Sequence, residues 1–327
     1  MTEAPGSGID QPTAAAFLTA LYGKALPDVA AIGAGAWSQA YGFSRGGRAY
    51  VVRFGALRED FERDRLAAAF SSAALPVPQT IAIGEALAGY YSITERIYGD
   101  FLDTADDAQL RSILPALFRA LDAARSVDLS ASTGYGGVDG AGNGSHPSWS
   151  AVLLDVGQDP VGHRTHGWRE RLRLSPYGLV AFDAAYACLA ALAPRCPNER
   201  HVIHSDLLNR NVFIAGDRIT GVIDWGCLMY GDFLYDIAWL TFWAPWYPAW
   251  QGIDLEAEAL RHARAIGLAL PDADTRLRCY EIQIGLAHFA YNVYLGNWAE
   301  YERVVARTLA IVDAVAGIPG SREPSRS

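Results

Sequence analysis

Hydrophobic and polar positions follow two different spacings along this chain, and the spacing changes near residue 99. Before that point, short apolar runs bounded by glycine or proline predict strands over residues 39–43, 48–54, 80–83 and 90–97. An earlier strand opens at Ile32 and breaks at Gly33-Ala34-Gly35. The Gly46-Gly47 pair predicts a hairpin turn. Residues 58–71 carry apolar side chains at helical spacing, which predicts one helix in this part.

After residue 99 the apolar positions recur every three or four residues, which indicates helices. The predicted helices cover residues 109–127, 181–192, 234–243, 255–266 and 275–295. We interpret the glycine-rich stretch 134–144 as a long loop. The pattern therefore predicts an N-terminal lobe rich in strands, residues 1–98, and a mostly helical C-terminal lobe, residues 99–320. Residues 1–13 and 321–327 are polar and rich in small residues, so we expect both to be flexible.

Composition and charge exclude two classes of protein. Of the 327 residues 51% are hydrophobic, which is enough for a sizeable core and excludes a disordered chain. The net charge is −9 with only 27 lysines and arginines, so the strongly basic surface of a nucleic-acid-binding protein is absent. An acidic protein of this kind suits a cationic small-molecule ligand instead.

Cysteine usage and apolar runs bear on the compartment. The four cysteines show no C-x-x-C spacing, and we interpret them as reduced thiols. The apolar runs at 14–22 and 184–193 are shorter than the ~20 residues that span a bilayer, and the N-terminus lacks the basic region of a signal peptide. We expect a cytoplasmic monomer that binds neither membrane nor nucleic acid.

The chemistry is concentrated between residues 201 and 231. A His-x-Asp-x-x-x-x-Asn pattern at 204–211 is followed by a predicted hairpin and then by Asp224-x-Gly226. This order is typical of phosphoryl-transfer sites. A hydroxyl that attacks a γ-phosphoryl group must lose its proton, which Asp206 can accept. Mg²⁺ prefers oxygen ligands, which Asn211 and Asp224 supply. The alternative is a turn region whose side chains cap local backbone groups.

These motifs resemble the aminoglycoside phosphotransferases, small-molecule kinases with the protein-kinase fold. The resemblance runs from about residue 37 to residue 298, and within the family it is strongest to members that act on hygromycin B. Its clearest stretches are SSAALPVPQ (71–79), DLSASTGYG (128–136), HSDLLNRN (204–211), ITGVIDW (219–225) and GDFLYDIAWLTFW (231–243). The resemblance implies an α+β, bilobal, protein-kinase-like fold. It also implies Asp206 as the catalytic base, Asn211 and Asp224 as Mg²⁺ ligands, and a mainly structural His204.

The N-terminal lobe contains a candidate phosphate-binding segment. Gly33, Gly35 and Ser38 could offer backbone N–H groups and a hydroxyl to the phosphates of ATP. A dinucleotide-binding fingerprint would need a third glycine at position 38 and then a helix, but here a strand follows.

A basic residue and the strand that enters the predicted hinge complete the expected nucleotide site. Arg53 stands where protein kinases usually place a phosphate-binding lysine, and an arginine can also grip phosphate. Its expected acidic partner is Asp64, with Asp60 and Glu62 as alternatives. The resemblance further implies that adenine binds backbone groups near Glu95 and Ile97.

The acceptor site is the least specific part of the sequence. A cationic aminoglycoside calls for carboxylates and flat aromatic faces. The residues that fit are Asp232, Asp236, Trp246, Glu281, Asn292, Tyr294 and Glu300. Asp232 and Asp236 can equally serve as structural braces. Trp239 and Trp243 are four residues apart, a spacing common on the core face of a helix.

The expected function is transfer of the γ-phosphate of ATP, with Mg²⁺, to a hydroxyl of an aminoglycoside or aminocyclitol antibiotic, with hygromycin B as the leading acceptor. Such a modification would confer antibiotic resistance, since it adds negative charge to a drug whose target is anionic RNA. Two alternatives stay open. One is a kinase of another small alcohol, such as a sugar, an amino alcohol or a macrolide. The other is a catalytically silent homologue that only binds nucleotide.

Overall fold

The computed structural model describes residues 9–34, 37–87 and 89–317. The strands are β1 (Ala30–Ala34), β2 (Ser38–Arg45), β3 (Arg48–Gly55), β4 (Thr80–Ala86), β5 (Gly89–Glu95), β6 (Asp100–Phe101), β7 (Tyr135–Val138), β8 (Gly144–His146), β9 (His201–Ile203), β10 (Val212–Ala215), β11 (Arg218–Val222) and β12 (Met229–Gly231). The helices are α1 (Gln11–Tyr22), α2 (Arg58–Ala68), α3 (Asp107–Arg125), α4 (Trp149–Asp155), α5 (Trp168–Arg173), α6 (Val180–Leu192), α7 (Leu234–Trp243), α8 (Leu255–Ala265), α9 (Ala273–Leu295) and α10 (Trp298–Gly317).

By their contacts these elements form two compact units. Unit 1 is drawn from Met1–Val127, Val138–Asn143 and Asp206–Leu228, and unit 2 from Asp128–Gly137, Gly144–Ser205 and Met229–Ser327. This division differs from the expected boundary after residue 98. The physical reason lies in β10, which pairs with β6 on one side and β11 on the other, so that residues 206–228 belong with unit 1.

Unit 1 is built on an antiparallel sheet with the strand order β1-β2-β3-β5-β4. The predicted hairpin is confirmed, because Gly46 and Gly47 both take positive φ angles, 60° and 77°, between paired β2 and β3. Helix α1 packs its buried Ala14 and Leu18 into a core with apolar side chains from the sheet, notably Phe43.

The N-terminal segment is more ordered than the sequence suggested. Residues 9–13 were expected to be flexible, but Asp10 caps α1 by accepting a 2.9 Å hydrogen bond from the Thr13 N–H, and Gly23 ends the helix at a φ of 72°. The other residues expected to be flexible, 1–8 and 321–327, lie outside the described residues.

Unit 2 is organised around α9, which packs against α4, α5, α6, α7 and α10. It also contains a small sheet with the strand order β8-β7-β12-β9, in which β12 pairs antiparallel with both β7 and β9. The sequence interpretation of residues 134–144 as a long loop was therefore wrong, since β7 begins at Tyr135. Glycines occur here because two chain segments come very close together: a Cβ built on Gly134 would lie 2.2 Å from the carbonyl oxygen of Gly144. Among the described residues, no helix is both long enough and apolar enough to cross a membrane.

Candidate active site

The loop between β9 and β10 holds Asp206 in a network of short-range hydrogen bonds. Asn211 donates from Nδ2 to the Asp206 carbonyl oxygen at 2.7 Å, and Asn209 donates from Nδ2 to Oδ1 of the Asp206 carboxylate at 2.8 Å. Leu207 and Leu208 are buried and anchor the loop, while Asp206 itself is partly exposed. The loop therefore presents an oriented carboxylate to solvent.

Asn209 is a site residue that the sequence interpretation missed. Its φ angle is 61°, in the left-handed region that few non-glycine residues adopt, and asparagine is among those that do. The available signal in the sequence was an asparagine three residues after Asp206. This spacing alone does not show that the Asn209 side chain contacts the Asp206 carboxylate.

The β10–β11 hairpin brings Asn211 and Asp224 to the same end of one small sheet. Val212 pairs with Val222, and the Ile223 N–H donates to the Asn211 carbonyl oxygen at 2.8 Å. Asp224 follows at a φ of 61°, and its side chain is 45% exposed. The end of this hairpin therefore offers one carboxamide oxygen and one carboxylate.

Arg53 on β3 connects this end of the hairpin to α2. Its guanidinium donates from Nη1 to Asp64 Oδ2 and from Nη2 to Asp224 Oδ1, both at 2.9 Å. Asp64 is thus the acid that pairs with Arg53. The two alternative partners are near other arginines. Asp60 Oδ1 lies 3.7 Å from Arg63 Nη1, and Glu62 Oε1 lies 2.8 Å from Arg58 Nε. Asp64 also accepts the Trp225 N–H at 2.8 Å.

Burial and the neighbouring charges shift the pKa values of Arg53 and Asp64 in opposite directions. Burial opposes the charge of Arg53, but Asp224 and Asp64 together raise the pKa of the guanidinium above its ordinary value. Burial raises the pKa of Asp64 to about 6, although Arg53 acts to lower it. The cluster is an arginine held between two aspartates.

The other residues expected to contact nucleotide lie on β1, on β2, at the end of β5 and just after β5. Gly33 sits at a bulge of β1, where added side-chain atoms would meet nothing within 4 Å, and Ser38 begins β2. Gly35 lies outside the described residues. The Glu95 N–H donates to the Gln79 carbonyl oxygen at 3.1 Å, and the Ile97 side chain fills the space beside Gly221.

In unit 2, two aspartates near the start of α7 are structural braces. Asp236 accepts the backbone N–H groups of His204 at 2.9 Å and Ser205 at 2.8 Å, and burial raises its pKa to about 7. Asp232 accepts Nε and Nη2 of Arg276, each at 2.7 Å, and also the Tyr280 hydroxyl. Asp232 is 0% and Asp236 is 3% exposed, so neither can contact an acceptor and we correct that expectation.

Two residues of α9 that were expected to contact the acceptor are also buried. Glu281 is 0% exposed and accepts Arg278 Nη1 at 2.6 Å and the Thr241 hydroxyl at 2.8 Å. Asn292 is 3% exposed and donates from Nδ2 to the His288 carbonyl oxygen at 2.9 Å. Long polar side chains were expected to face a ligand here, but their partners on neighbouring turns and helices enclose them.

His204 is 1% exposed, in keeping with the structural role that the resemblance implies for it. It lies in the buried part of the chain that leads to Asp206. Its backbone N–H donates to Asp236 at 2.9 Å.

Two of the remaining acceptor candidates, Trp246 and Glu300, lie at an aromatic cluster. The cluster is formed by Trp239, Phe242, Trp243, Trp246 and His288. Trp246 donates from Nε1 to Glu300 Oε1 at 2.5 Å, so two of the expected residues do meet. The indole N–H groups of Trp239 and Trp243 are buried and have no hydrogen-bond partner. Tyr294, at the end of α9, is 38% exposed.

His288 is neutral within this cluster. It donates from Nδ1 to the Ile284 carbonyl oxygen at 2.8 Å, and burial lowers its pKa to about 4. The ring packs against Trp243 with centroids 4.6 Å apart. The cluster is therefore apolar and aromatic, with the carboxylate of Glu300 beside it.

Comparison with known proteins identifies the family of this chain. A sequence profile of the phosphotransferase enzyme family matches residues 28–278. Hygromycin-B 4-O-kinase from Escherichia coli is 31% identical over 303 residues, which cover 92% of this chain and 85% of that protein. The crystal structure of a thermostable mutant of aminoglycoside phosphotransferase APH(4)-Ia, in a ternary complex with AMP-PNP and hygromycin B, is 30% identical. It matches 93% of this chain and 99% of that chain, with a TM-score of 0.80.

More distant structures share the fold alone. Spectinomycin phosphotransferase APH(9)-Ia, in complex with ADP and spectinomycin, is 13% identical with a TM-score of 0.60, over 95% of this chain and 98% of that chain. The predicted fold class is confirmed as a kinase-like fold of mixed helix and sheet, with a sheet-rich N-terminal region and a helical C-terminal part. The chain belongs to the phosphotransferase enzyme family.

Proposed function

We propose that this protein transfers the γ-phosphoryl group of ATP to a hydroxyl of an aminoglycoside or aminocyclitol antibiotic, with hygromycin B as the leading acceptor. The observation that carries the proposal is the arrangement of Asp206, Asn211 and Asp224 around one loop and hairpin. The similarity to hygromycin-B 4-O-kinase from Escherichia coli supports the same reaction. The similarity to APH(4)-Ia, whose structure holds AMP-PNP and hygromycin B, supports the same acceptor.

Asp206 acts as the general base in this proposal. Its carboxylate is oriented by the loop and partly exposed, as a group that takes a proton from an acceptor hydroxyl must be. Since positioning and electrostatics account for most of the catalysis in phosphoryl transfer, we expect its orientation to matter as much as its basicity.

Asn211 and Asp224 fit an Mg²⁺ ion by their chemistry. Asn211 uses Nδ2 as a donor to the Asp206 carbonyl oxygen, so its Oδ1 remains to serve as a hard ligand beside the Asp224 carboxylate. Two protein ligands suffice because Mg²⁺ usually keeps water and phosphate oxygens in its shell. When bound, the ion would neutralise charge on the phosphates of ATP.

Arg53 and the strands around it are assigned to the nucleotide, within the proposed N-terminal lobe of residues 1–98. Arg53 is held by Asp64 and can present its charge to phosphate oxygens. Backbone groups of Gly33 and Gly35 and the Ser38 hydroxyl are the further candidates for phosphate contacts. The Glu95 N–H is already bonded to Gln79, so adenine would use the Glu95 carbonyl and backbone groups near Ile97.

The acceptor is assigned to unit 2, in the proposed C-terminal lobe of residues 99–320. Trp246 and Glu300 combine an aromatic face with a carboxylate, which suits the sugar rings and ammonium groups of an aminoglycoside. Tyr294 is exposed and remains a candidate. The net charge of −9 favours a cationic acceptor. The proposal includes action as a monomer in the cytoplasm, where ATP is available.

The test is ADP release by the purified protein with Mg-ATP and one acceptor at a time. Hygromycin B is offered beside kanamycin, neomycin, spectinomycin, a macrolide and a simple sugar, and the product is identified by mass as the acceptor plus one phosphoryl group. We expect turnover with hygromycin B well above that with the others. Turnover with the sugar or macrolide alone would overturn the acceptor assignment, and Mg-ATP binding without turnover would indicate a catalytically silent homologue.

A further inference from the structure

The side chain of Asn209 contacts the Asp206 carboxylate within the described loop. Its Nδ2 lies 2.8 Å from Asp206 Oδ1, and the two residues are only three positions apart. A carboxylate rotates broadly about its last bond, so a donor on one oxygen selects one orientation of the group. This contact therefore favours one orientation of the Asp206 carboxylate.

The backbone of the loop is shaped so that this contact can form. Asn209 and Arg210 take consecutive positive φ angles, 61° and 67°, which turn the chain back towards Asp206. The Arg210 N–H donates to Asp103 Oδ2 at 3.2 Å and holds the turn in place. Asparagine adopts this backbone region at little cost, whereas most other residues with a donor side chain do so poorly.

Two hydrogen bonds from this turn converge on one aspartate. Asn211 holds the Asp206 backbone through its carbonyl oxygen, and Asn209 holds the side chain through Oδ1. A base that must lie within hydrogen-bond reach of an acceptor hydroxyl benefits from both constraints, since a misplacement of about 1 Å can cost about a hundredfold in rate.

We propose that Asn209 is a positioning residue for the phosphoryl transfer, which fixes the Asp206 carboxylate in the orientation that receives the acceptor proton. The inference rests on the proposed function and adds a residue to its machinery. Asn209 acts through Asp206 and touches neither ATP nor acceptor in this account. Its loss should therefore lower kcat and leave nucleotide affinity unchanged.

Two variants separate the side-chain contact from the backbone shape. Asn209→Gly keeps the left-handed backbone, which suits glycine, and removes the donor. Asn209→Asp keeps the shape of the side chain but replaces the donor by a second carboxylate. We expect kcat to fall by about tenfold in Asn209→Gly and at least as much in Asn209→Asp, with the KM for Mg-ATP within about twofold of the parent.

The Asp206→Asn background supplies the internal control. If Asn209 acts only through the Asp206 carboxylate, then adding Asn209→Gly to Asp206→Asn should lower the residual rate by less than about twofold, because interacting residues are not additive. A full tenfold loss in that background would overturn the inference. A raised KM for Mg-ATP with unchanged kcat would also overturn it.

A crystal structure of the parent and of Asn209→Gly tests the contact without any turnover. We expect one carboxylate orientation at Asp206 in the parent, with Nδ2 near Oδ1, and a rotated or doubled orientation in the variant. An unchanged orientation would contradict the positioning role. If the parent phosphorylates no acceptor, the proposed function fails, and this comparison still decides the role of Asn209. If the acceptor is another alcohol, the kinetic comparison uses that acceptor.

Discussion

Arg53 donates a hydrogen bond of 2.9 Å to Asp224, so a residue of β3 contacts the aspartate proposed to bind Mg²⁺. The same guanidinium holds Asp64 on α2 at 2.9 Å. A planar group with several fixed donors can satisfy two carboxylates at once, which an ammonium group does less well. The positions of Asp64 and Asp224 therefore depend on one side chain.

Replacing Arg53 tests this dependence. Arg53→Lys keeps the charge but is expected to lose one of the two charge-assisted hydrogen bonds, worth about 1.5–3 kcal/mol in the free energy of unfolding. We expect kcat/KM for Mg-ATP to fall by about tenfold, because Asp224 and the phosphate contacts lose their common anchor. Urea unfolding and steady-state kinetics measure the two effects. Arg58→Lys, in a more exposed pair with Glu62, is the control and should change neither. Equal effects from both variants would count against the account.

Asp236 is expected to act on catalysis through the backbone that it holds. Asp236→Asn presents an amide N–H to one of the two backbone N–H groups of His204 and Ser205, and so leaves a buried donor unsatisfied. The expected loss in the free energy of unfolding is about 1–3 kcal/mol. Because Ser205 directly precedes Asp206, we also expect kcat to fall by about tenfold. Asp107→Asn, at an exposed pair with Arg111, is the matched control. A variant with parental stability and parental kcat would show that this brace is dispensable.

His288 is expected to make the stability depend on pH. Its pKa is about 4 in the folded protein because of burial, and about 6.5 in the unfolded chain. Between these values the unfolded state binds more protons, so stability is complete above pH 6.5 and is lost as the pH falls towards 4. The loss from this residue is at most about 3 kcal/mol. Chemical denaturation of the parent and of His288→Gln between pH 4 and 6.5 measures this loss in the free energy of unfolding. If the two lose stability in parallel, the buried neutral histidine is not the cause.

Glu281 and Glu300 should respond differently to the same substitution. Glu281→Gln removes a buried charge that pairs with Arg278, and should lower the free energy of unfolding by about 2–3 kcal/mol without changing the KM for hygromycin B. Glu300→Gln, at a partly exposed site, should raise that KM by about fivefold with little change in stability. Steady-state kinetics and thermal melting of both variants give the comparison. The reverse pattern would contradict the corrected roles.

The sequence predicted well those features that depend on neighbours along the chain. The hairpin between Asn211 and Asp224, the Gly46-Gly47 turn and helix α7 follow from local spacing, and α7 spans the predicted residues 234–243. The family resemblance was likewise carried by short contiguous motifs, and the comparisons confirm it.

Features that depend on distant partners were missed. Asp232 binds Arg276, 44 positions later, and Glu281 binds Thr241, 40 positions earlier, so burial of these acids could not be inferred from their own segments. The strand β7 was hidden in a glycine-rich stretch because the glycines serve close backbone packing. Asn209 was missed because its contact depends on a positive φ angle that the residue type permits but does not require.

The most direct test of the central claim is the rate of phosphoryl transfer to hygromycin B by Asp206→Asn beside the parent protein. Asparagine keeps the size of the side chain but cannot accept the proton, so we expect kcat to fall by about 10²–10⁴ with Mg-ATP binding retained. Binding by calorimetry and melting temperature confirm that the variant is folded. A parental kcat in a folded variant that still phosphorylates hygromycin B would contradict the assignment of Asp206 as the base.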